Sequence, residues 1–369
     1  MAITLAALAG LALAFANGAN DNFKGVATLF GAGTTNYRRA LTWATATTLL
    51  GSITALLLSG GLLQTFRGSG IVPPEVFSEA AFPAAVAVAA AATVLIATLI
   101  GMPISTTHAL IGGLIGAGLS AAGAAIGWDI LGRKVMLPLL SSPLIAFSGS
   151  AALYLIFKMT RRQMRVEPES CVCIPPKALA TVAAPSDWTT PLLLTQPLPA
   201  VVMGSAGESS CAPAGALTAS KTLDTAHFLS AGSVGFARGL NDTPKIAALL
   251  LVAPSLQAGP ALVAVGLGMA AGAWLAARRV AETLSHRITK MNAGQGFTAN
   301  LVTALLVVVA SRLGLPVSTT HVSCGSLIGI GAAGRSAHWK MIGRVLLAWV
   351  VTLPMAGGIA WASYTLLSS

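Results

Sequence analysis

Phe15–Gly33 reads FANGANDNFKGVATLFGAG, and Gly235–Leu250 reads GFARGLNDTPKIAALL. Each stretch sets an Asn-Asp pair, Asn20-Asp21 and Asn241-Asp242, in sequence that is otherwise almost wholly apolar. A lysine follows each aspartate three positions on: Lys24 and Lys245. Ionisable side chains at membrane depth are costly to keep there and mark functional sites by default. Their recurrence in two halves of one chain predicts an internal repeat, with a substrate site where the halves meet.

Composition requires a membrane around these motifs. Only 9% of the 369 residues are charged and 55% are hydrophobic, and the mean hydropathy is +0.78. A water-soluble chain of this length needs more polar surface. Uncharged runs fall at 40–66, 80–128, 135–157, 246–277, 291–311, 313–334 and 345–369. One helical crossing takes about 20 apolar residues, so the 80–128 and 246–277 runs each hold two passes, or a pass and a re-entrant segment. The runs are rich in Gly, Ala, Ser and Thr, which lets helices approach closely in a polytopic bundle. They lack the alternation of a β-barrel.

The net charge of +11 would suggest nucleic acid in a soluble protein. Here the basic residues lie between spans, where they orient the chain, and no nucleic-acid partner is expected. Cys171, Cys173, Cys211 and Cys324 make no disulfide framework and have no histidine cluster beside them, so unpaired thiols are the reading. The apolar start lacks a basic leader and runs straight into the first motif, which reads as a retained first helix.

The chain then divides into a first transmembrane repeat at 1–158, an extramembrane linker at 159–221 and a second repeat at 222–369. The first crossing begins at 3–19 and is expected to break at Gly18 and the polar cluster of Asn17, Asn20, Asp21 and Asn22. Further spans are expected near 41–63, 81–100, up to 125, and at 135–157. The linker is rich in Pro, Ser and Thr, with room for a small β element. In the second half spans follow at 246–277, 298–311, 322–333 and 345–367.

The order of motifs repeats, with 84 positions from Asp21 to Ser105 and 76 from Asp242 to Ser318. The loops at Lys158–Arg165 and Arg278–Lys290 are the most basic and are expected on the cytoplasmic side. The loop at 65–79, which corresponds to 278–290, sets Arg67 against Glu75 and Glu79 and suits the other side. The fold expected is an all-α polytopic membrane protein made of two inverted-topology repeats. Broken or re-entrant helices would enclose a midplane site in it, as in transporters built this way.

A second pair of motifs supports that reading: Pro103-Ile-Ser105-Thr106-Thr107-His108 and Pro316-Val317-Ser318-Thr319-Thr320-His321. A helix start presents unpaired N–H groups and a positive dipole end, which suit an anion. Three hydroxyls at each start would add donors around a tetrahedral oxyanion. Ser and Thr also cap helices without any ligand. The matched copies, each paired with an Asn-Asp motif, favour binding. His108 and His321 read more simply as packing residues between helices than as proton carriers.

GANDNFKGVATLFGAG, GLNDTPK, GMPISTTHALIGGLIGAG and GFTANLVTALLVVVASRLGLPVSTTHVSCGSLIGIG resemble the signatures of the inorganic phosphate transporter (PiT) family. The resemblance covers both halves and leaves out 166–220. It implies an inverted-repeat transporter that moves phosphate with a coupling cation, usually sodium or a proton, while some members carry sulfate. Carried over by motif, the anion would meet Asn22, Ser105, Thr106, Thr107, Ser318, Thr319 and Thr320. Asp21 and Asp242 would coordinate cation and anion, and Asn20 and Asn241 would complete the motif.

Family copies commonly read N-D-x-x-N, whereas here both final asparagines are lysine, Lys24 and Lys245. Asp and Lys at i and i+3 share a helix face, so each ammonium can stand where a sodium ion would. Two lysines then bring the empty site to about zero charge. The expectation is a non-enzymatic secondary transporter without cofactor. It would work by alternating access, with a proton more than sodium as the coupling cation and the lysines as candidate proton carriers. A sulfate permease of the same fold is the alternative, and an anion channel is a weaker one. Membrane lipid and a second copy in a homodimer are the candidate partners, and a prokaryotic inner membrane is the expected location. Arg238 is left undecided, either at the pathway or at an interface.

Overall fold

A computed structural model describes residues 2–68, 70–167, 170–173, 202–205, 217–251 and 256–369. The chain forms two compact units, one of Met1–Ile156 with His227–Ser369 and one of Phe157–Ala226. In the smaller unit, Ser170–Cys173 (β1) pairs antiparallel with Val202–Ser205 (β2) and with Leu217–Thr218 (β3). The strand order is β2-β1-β3. Cys171 and Cys173 fall on β1; Cys211 and most of the predicted linker lie outside the described residues.

The larger unit is helical. Its first half contains Ala2–Asp21 (α1), Ala27–Gly31 (α2), Tyr37–Leu58 (α3), Ala81–Leu99 (α4), Thr106–Ala122 (α5) and the greater part of Leu137–Gln163 (α6). Its second half contains most of Ala219–Leu250 (α7), then Ala258–Ala276 (α8), Ala293–Arg312 (α9), Thr319–Gly334 (α10) and Trp339–Ser368 (α11). Among the described residues, seven helices are long and apolar enough to cross a membrane. Thr106–Ala122 is a shorter apolar helix. The chain is a multi-pass membrane protein, and its described residues are almost wholly helical. The 80–128 run resolves into α4 and α5, and the 246–277 run into the end of α7 and α8.

The first break comes at the end of the expected polar cluster and not at Gly18. α1 continues through Gly18 to Asp21 and gives way to turns before Ala27. Gly18 serves close packing instead: a Cβ there would stand 1.9 Å from the Met269 carbonyl oxygen on α8. Gly272 on α8 approaches the Phe15 carbonyl of α1 equally closely, at 1.9 Å for its own hypothetical Cβ. Glycine lets the two backbones touch where lipid offers no hydrophobic drive to hold them. Gly272→Val is therefore expected to push α1 off α8 at a cost of about 1–3 kcal/mol. Thermal unfolding of the purified protein checks this, because an unchanged melting temperature would mean that the contact carries no stability.

The second motif sits in an unbroken helix. α7 runs through Asn241 and Asp242 with Pro244 inside it. Proline cannot donate to the carbonyl four residues back. That carbonyl, of Leu240, instead accepts from Ser59 Oγ at 2.9 Å. A neighbouring hydroxyl thus satisfies the freed group, which is how spanning helices tolerate proline.

Candidate functional site

The C-terminal end of α1 places Asn17, Asn20 and Asp21 within one turn, and α7 places Arg238, Asn241, Asp242 and Lys245 at matching spacing. Side chains three and four apart share a helix face. Facing them are the first turns of α5 and α10. Ser105 and Ser318 adopt extended backbone and cap these helices. Ser105 Oγ accepts from the His108 amide at 3.0 Å, and Ser318 Oγ from the His321 amide at 3.2 Å. Each serine is therefore an N-cap, and its hydroxyl proton is still available to a further acceptor.

The contacts of one half recur in the other. Lys24 Nζ pairs with Asp21 Oδ1, donates to the Ile104 carbonyl at 3.3 Å, and bonds Thr320 Oγ1 across the halves. Lys245 Nζ lies 3.4 Å from Asp242 Oδ1, donates to the Val317 carbonyl at 2.7 Å, and bonds Thr107 Oγ1 across the halves at 2.8 Å. Thr106 Oγ1 donates to Asp21 Oδ2 at 3.2 Å and Thr319 Oγ1 to Asp242 Oδ2 at 3.3 Å. Each ammonium thus sits among a carboxylate, a backbone carbonyl and a hydroxyl, oxygens of the kind that hold sodium in transporters. Asp21, Lys24, Asp242 and Lys245 are all at most 3% exposed.

Asn20 and Asn241 hold the scaffold around these couples. Asn20 donates to Thr98 Oγ1 and the Met102 carbonyl, both at 3.0 Å, and accepts from the Ile104 amide at 3.1 Å. Asn241 donates to the Val317 carbonyl at 3.2 Å and to Asp242 Oδ1 at 3.0 Å, and accepts from Ser311 at 3.2 Å. Asn22 does not touch the lysines. Its side chain donates to Thr45 Oγ1 at 3.2 Å and accepts from Arg238 at 2.9 Å.

Two residues of the cluster were not on the sequence-derived list. Asn17 lies four residues before Asp21, as Arg238 lies four before Asp242. The two are therefore counterparts, and they touch: an Arg238 guanidinium nitrogen donates to Asn17 Oδ1. Asn17 Nδ2 reaches Asp21 Oδ2 at 3.2 Å and Asp242 Oδ2 at 3.4 Å, linking the two carboxylates. Arg238 is 1% exposed, its Nε stands 3.8 Å from Asp242 Oδ2, and that Nε has no hydrogen-bond partner. The expected charge of zero therefore becomes a formal +1, since among the described residues Arg238, Lys24 and Lys245 pair with Asp21 and Asp242 alone. A proton passed within any couple leaves that sum unchanged. The signal was present in the i−4 spacing, but an Arg opposite an Asn does not read as a repeat.

His108 and His321 pack against each other with ring centroids 4.3 Å apart and planes tilted by 46°, and His321 packs against Trp349 at 3.8 Å with a tilt of 31°. Among the described residues no group of His, Cys, Asp and Glu could hold a metal ion.

Comparison with known proteins places the chain in a family. The profile of the phosphate transporter family matches residues 17–360. A Thermococcus kodakarensis protein named "Putative phosphate permease TK2061" is 31% identical over 396 residues, covering 96% of this chain and 94% of its own. "Inorganic phosphate transporter 2-1, chloroplastic" of Arabidopsis thaliana is 28% identical over 418 residues, covering 96% of this chain and 70% of its own. A solved structure described as "The sodium-dependent phosphate transporter" superposes with a TM-score of 0.76, covering 100% of this chain and 99% of its own at 24% identity. That likeness establishes the shared fold. The family match spans nearly the whole sequence, both motif pairs included, and the chain belongs to the phosphate transporter family.

Proposed function

We propose that this chain carries inorganic phosphate across the membrane as a secondary transporter, with a proton rather than sodium as the coupling cation. Its halves, 1–158 and 222–369, act as oppositely oriented repeats joined by 159–221, and alternating access exposes the site between them to each side in turn. The observation that carries this reading is the pair of Asp–Lys couples, Asp21–Lys24 and Asp242–Lys245, each bonded to a threonine of the opposite half. Family membership supplies the substrate class.

In the arrangement described, the ammonium groups are occupied by protein oxygens, as in a closed, unloaded carrier. An entering anion displaces the Thr107, Thr320, Ile104 and Val317 contacts and takes the two ammonium groups for itself. Ser105 and Ser318 then donate their free hydroxyl protons, Thr106 and Thr319 join them, and Asn22 releases Arg238 toward the substrate. Asp21 and Asp242 accept from the protonated oxygens of phosphate. The sodium dependence in the name of the related solved structure belongs to that protein. Here Lys24 and Lys245 bring the cationic charge themselves, and reversible protonation at the couples links transport to the proton gradient.

Sulfate separates this reading from its nearest rival. At neutral pH sulfate has no proton to offer Asp21 or Asp242, and a site built to receive a donor rejects an analogue that lacks one. In proteoliposomes, a large excess of sulfate is expected to leave labelled phosphate uptake largely intact. Competition at equal concentration would identify a sulfate permease instead.

A further inference from the structure

The two Asp–Lys couples match in geometry and differ in charge. Among the described residues Asp21 has one cation within salt-bridge distance, Lys24, whereas Asp242 has two, Lys245 and Arg238. The Asp21 group therefore sums to zero and the Asp242 group to a formal +1. All five side chains are at most 3% exposed, and a charge held that far from water is costly to leave uncompensated. Arg238 cannot shed it, because a guanidinium keeps its proton in proteins, whereas a buried lysine can lose one. Lys24 could do so only by leaving Asp21 unopposed. Lys245 is free of that constraint, since Arg238 stays behind to balance Asp242.

The contacts of Lys245 suit both of its forms. As an ammonium it donates to the Val317 carbonyl at 2.7 Å and to Thr107 Oγ1 at 2.8 Å, and lies 3.4 Å from Asp242 Oδ1. As an amine it keeps two protons, for the carbonyl and the carboxylate, and turns its lone pair to Thr107. Thr107 Oγ1 also stands 3.3 Å from the Val317 carbonyl as a donor. Its proton has only to swing from that carbonyl to the amine, because a hydroxyl both donates and accepts. Besides Asp242 and Arg238 on α7, the ionisable groups acting on Lys245 are Asp21 and Lys24 of the first half. The Phe66 ring lies 5.7 Å away.

We propose that Lys245 carries the coupling proton, one for each phosphate, and that Arg238 is the residue that frees it to do so. This rests on the proton-coupled reading above and specifies it. In the unloaded carrier the Lys245 nitrogen is then the amine, and the site is neutral: Lys24 and Arg238 oppose Asp21 and Asp242. Phosphate enters as the monoanion with one proton from water on the entry side. That proton adds to the Lys245 amine, so the anion meets an ammonium and the loaded site is again neutral. On the far side the anion leaves and the ammonium returns its proton to water. Alternating access opens the site to each side in turn, so the proton needs no path of its own. Lys24 keeps its proton throughout.

Calorimetry of phosphate binding to the purified full-length protein, repeated in buffers of different ionisation enthalpy, counts the protons taken up with each anion. Lys245→Arg keeps the charge and cannot release it, so it is expected to take up about one proton fewer per phosphate than the wild type. Protons that phosphate itself takes up cancel in that difference. Arg238→Gln leaves Lys245 as the sole cation on Asp242 and is expected to show the same loss. Lys24→Arg is expected to keep the wild-type count, whatever its rate of transport. In proteoliposomes driven by a pH gradient, wild-type uptake is expected to be indifferent to an imposed membrane potential. An unchanged count in Lys245→Arg, a loss in Lys24→Arg in its place, or wild-type uptake that follows the potential would each overturn the inference alone. Wild-type uptake driven by sodium and not by protons would defeat the coupling itself, and this inference with it.

Discussion

Asp242→Ala is expected to abolish phosphate uptake and to lower stability by about 3–5 kcal/mol, the usual cost of leaving a buried charge without its partner. Asp242 faces two cations, Lys245 at 3.4 Å and Arg238 at 3.8 Å, in a region almost wholly shielded from solvent. Removing its carboxylate leaves the cluster with charge +2, since Asp21 alone then opposes Lys24, Lys245 and Arg238. The double variant Asp242→Ala, Lys245→Ala removes one charge of each sign and should unfold less readily than the sum of the single variants predicts. Close partners couple in this way, and a double-mutant cycle isolates the term. Thermal unfolding with proteoliposome uptake checks both parts, because additive stability losses would mean that Asp242 and Lys245 do not act as a couple.

The second large effect concerns the coupling ion. Lys24→Asn with Lys245→Asn restores the asparagines that the family motif commonly has, and leaves two oxygen cages without their ammonium groups. Asp21 with the Ile104 carbonyl and Thr320, and Asp242 with the Val317 carbonyl and Thr107, are then free to hold a small cation. The double variant is expected to transport phosphate only when sodium is supplied. Its uptake without sodium should fall about tenfold or more, the loss that follows from some 1.4 kcal/mol of lost transition-state stabilisation. Uptake that stays independent of sodium after the substitution would show that the lysines do not take a cation's place.

The parts of this molecule that the sequence made legible are those written as repeated, spaced signals. Long uncharged runs located α4, α5, α8 and α9 because a bilayer demands them. The Asn-Asp and Ser-Thr-Thr-His motifs, 84 and 76 positions apart, meet in the structure because helices bring distant segments to one depth. What stayed hidden depends on partners that are remote in sequence. Gly18 looked like a helix break, but it faces the Met269 carbonyl, a contact that local sequence cannot reveal. Pro244 lies inside α7, and Ser59, far upstream, takes up the carbonyl it frees. Arg238 had no visible counterpart, since Asn17 matches it in position and not in chemistry. The extra positive charge at the site follows from that one asymmetric pair.

Phosphate uptake by the unmodified protein in sodium-free proteoliposomes, with an inward proton gradient as the only driving force, tests the role of the two Asp–Lys couples most directly. The lysine-filled cages predict saturable phosphate accumulation that collapses when the gradient is dissipated and does not change when sodium is added. Accumulation that requires sodium and ignores the proton gradient would contradict them.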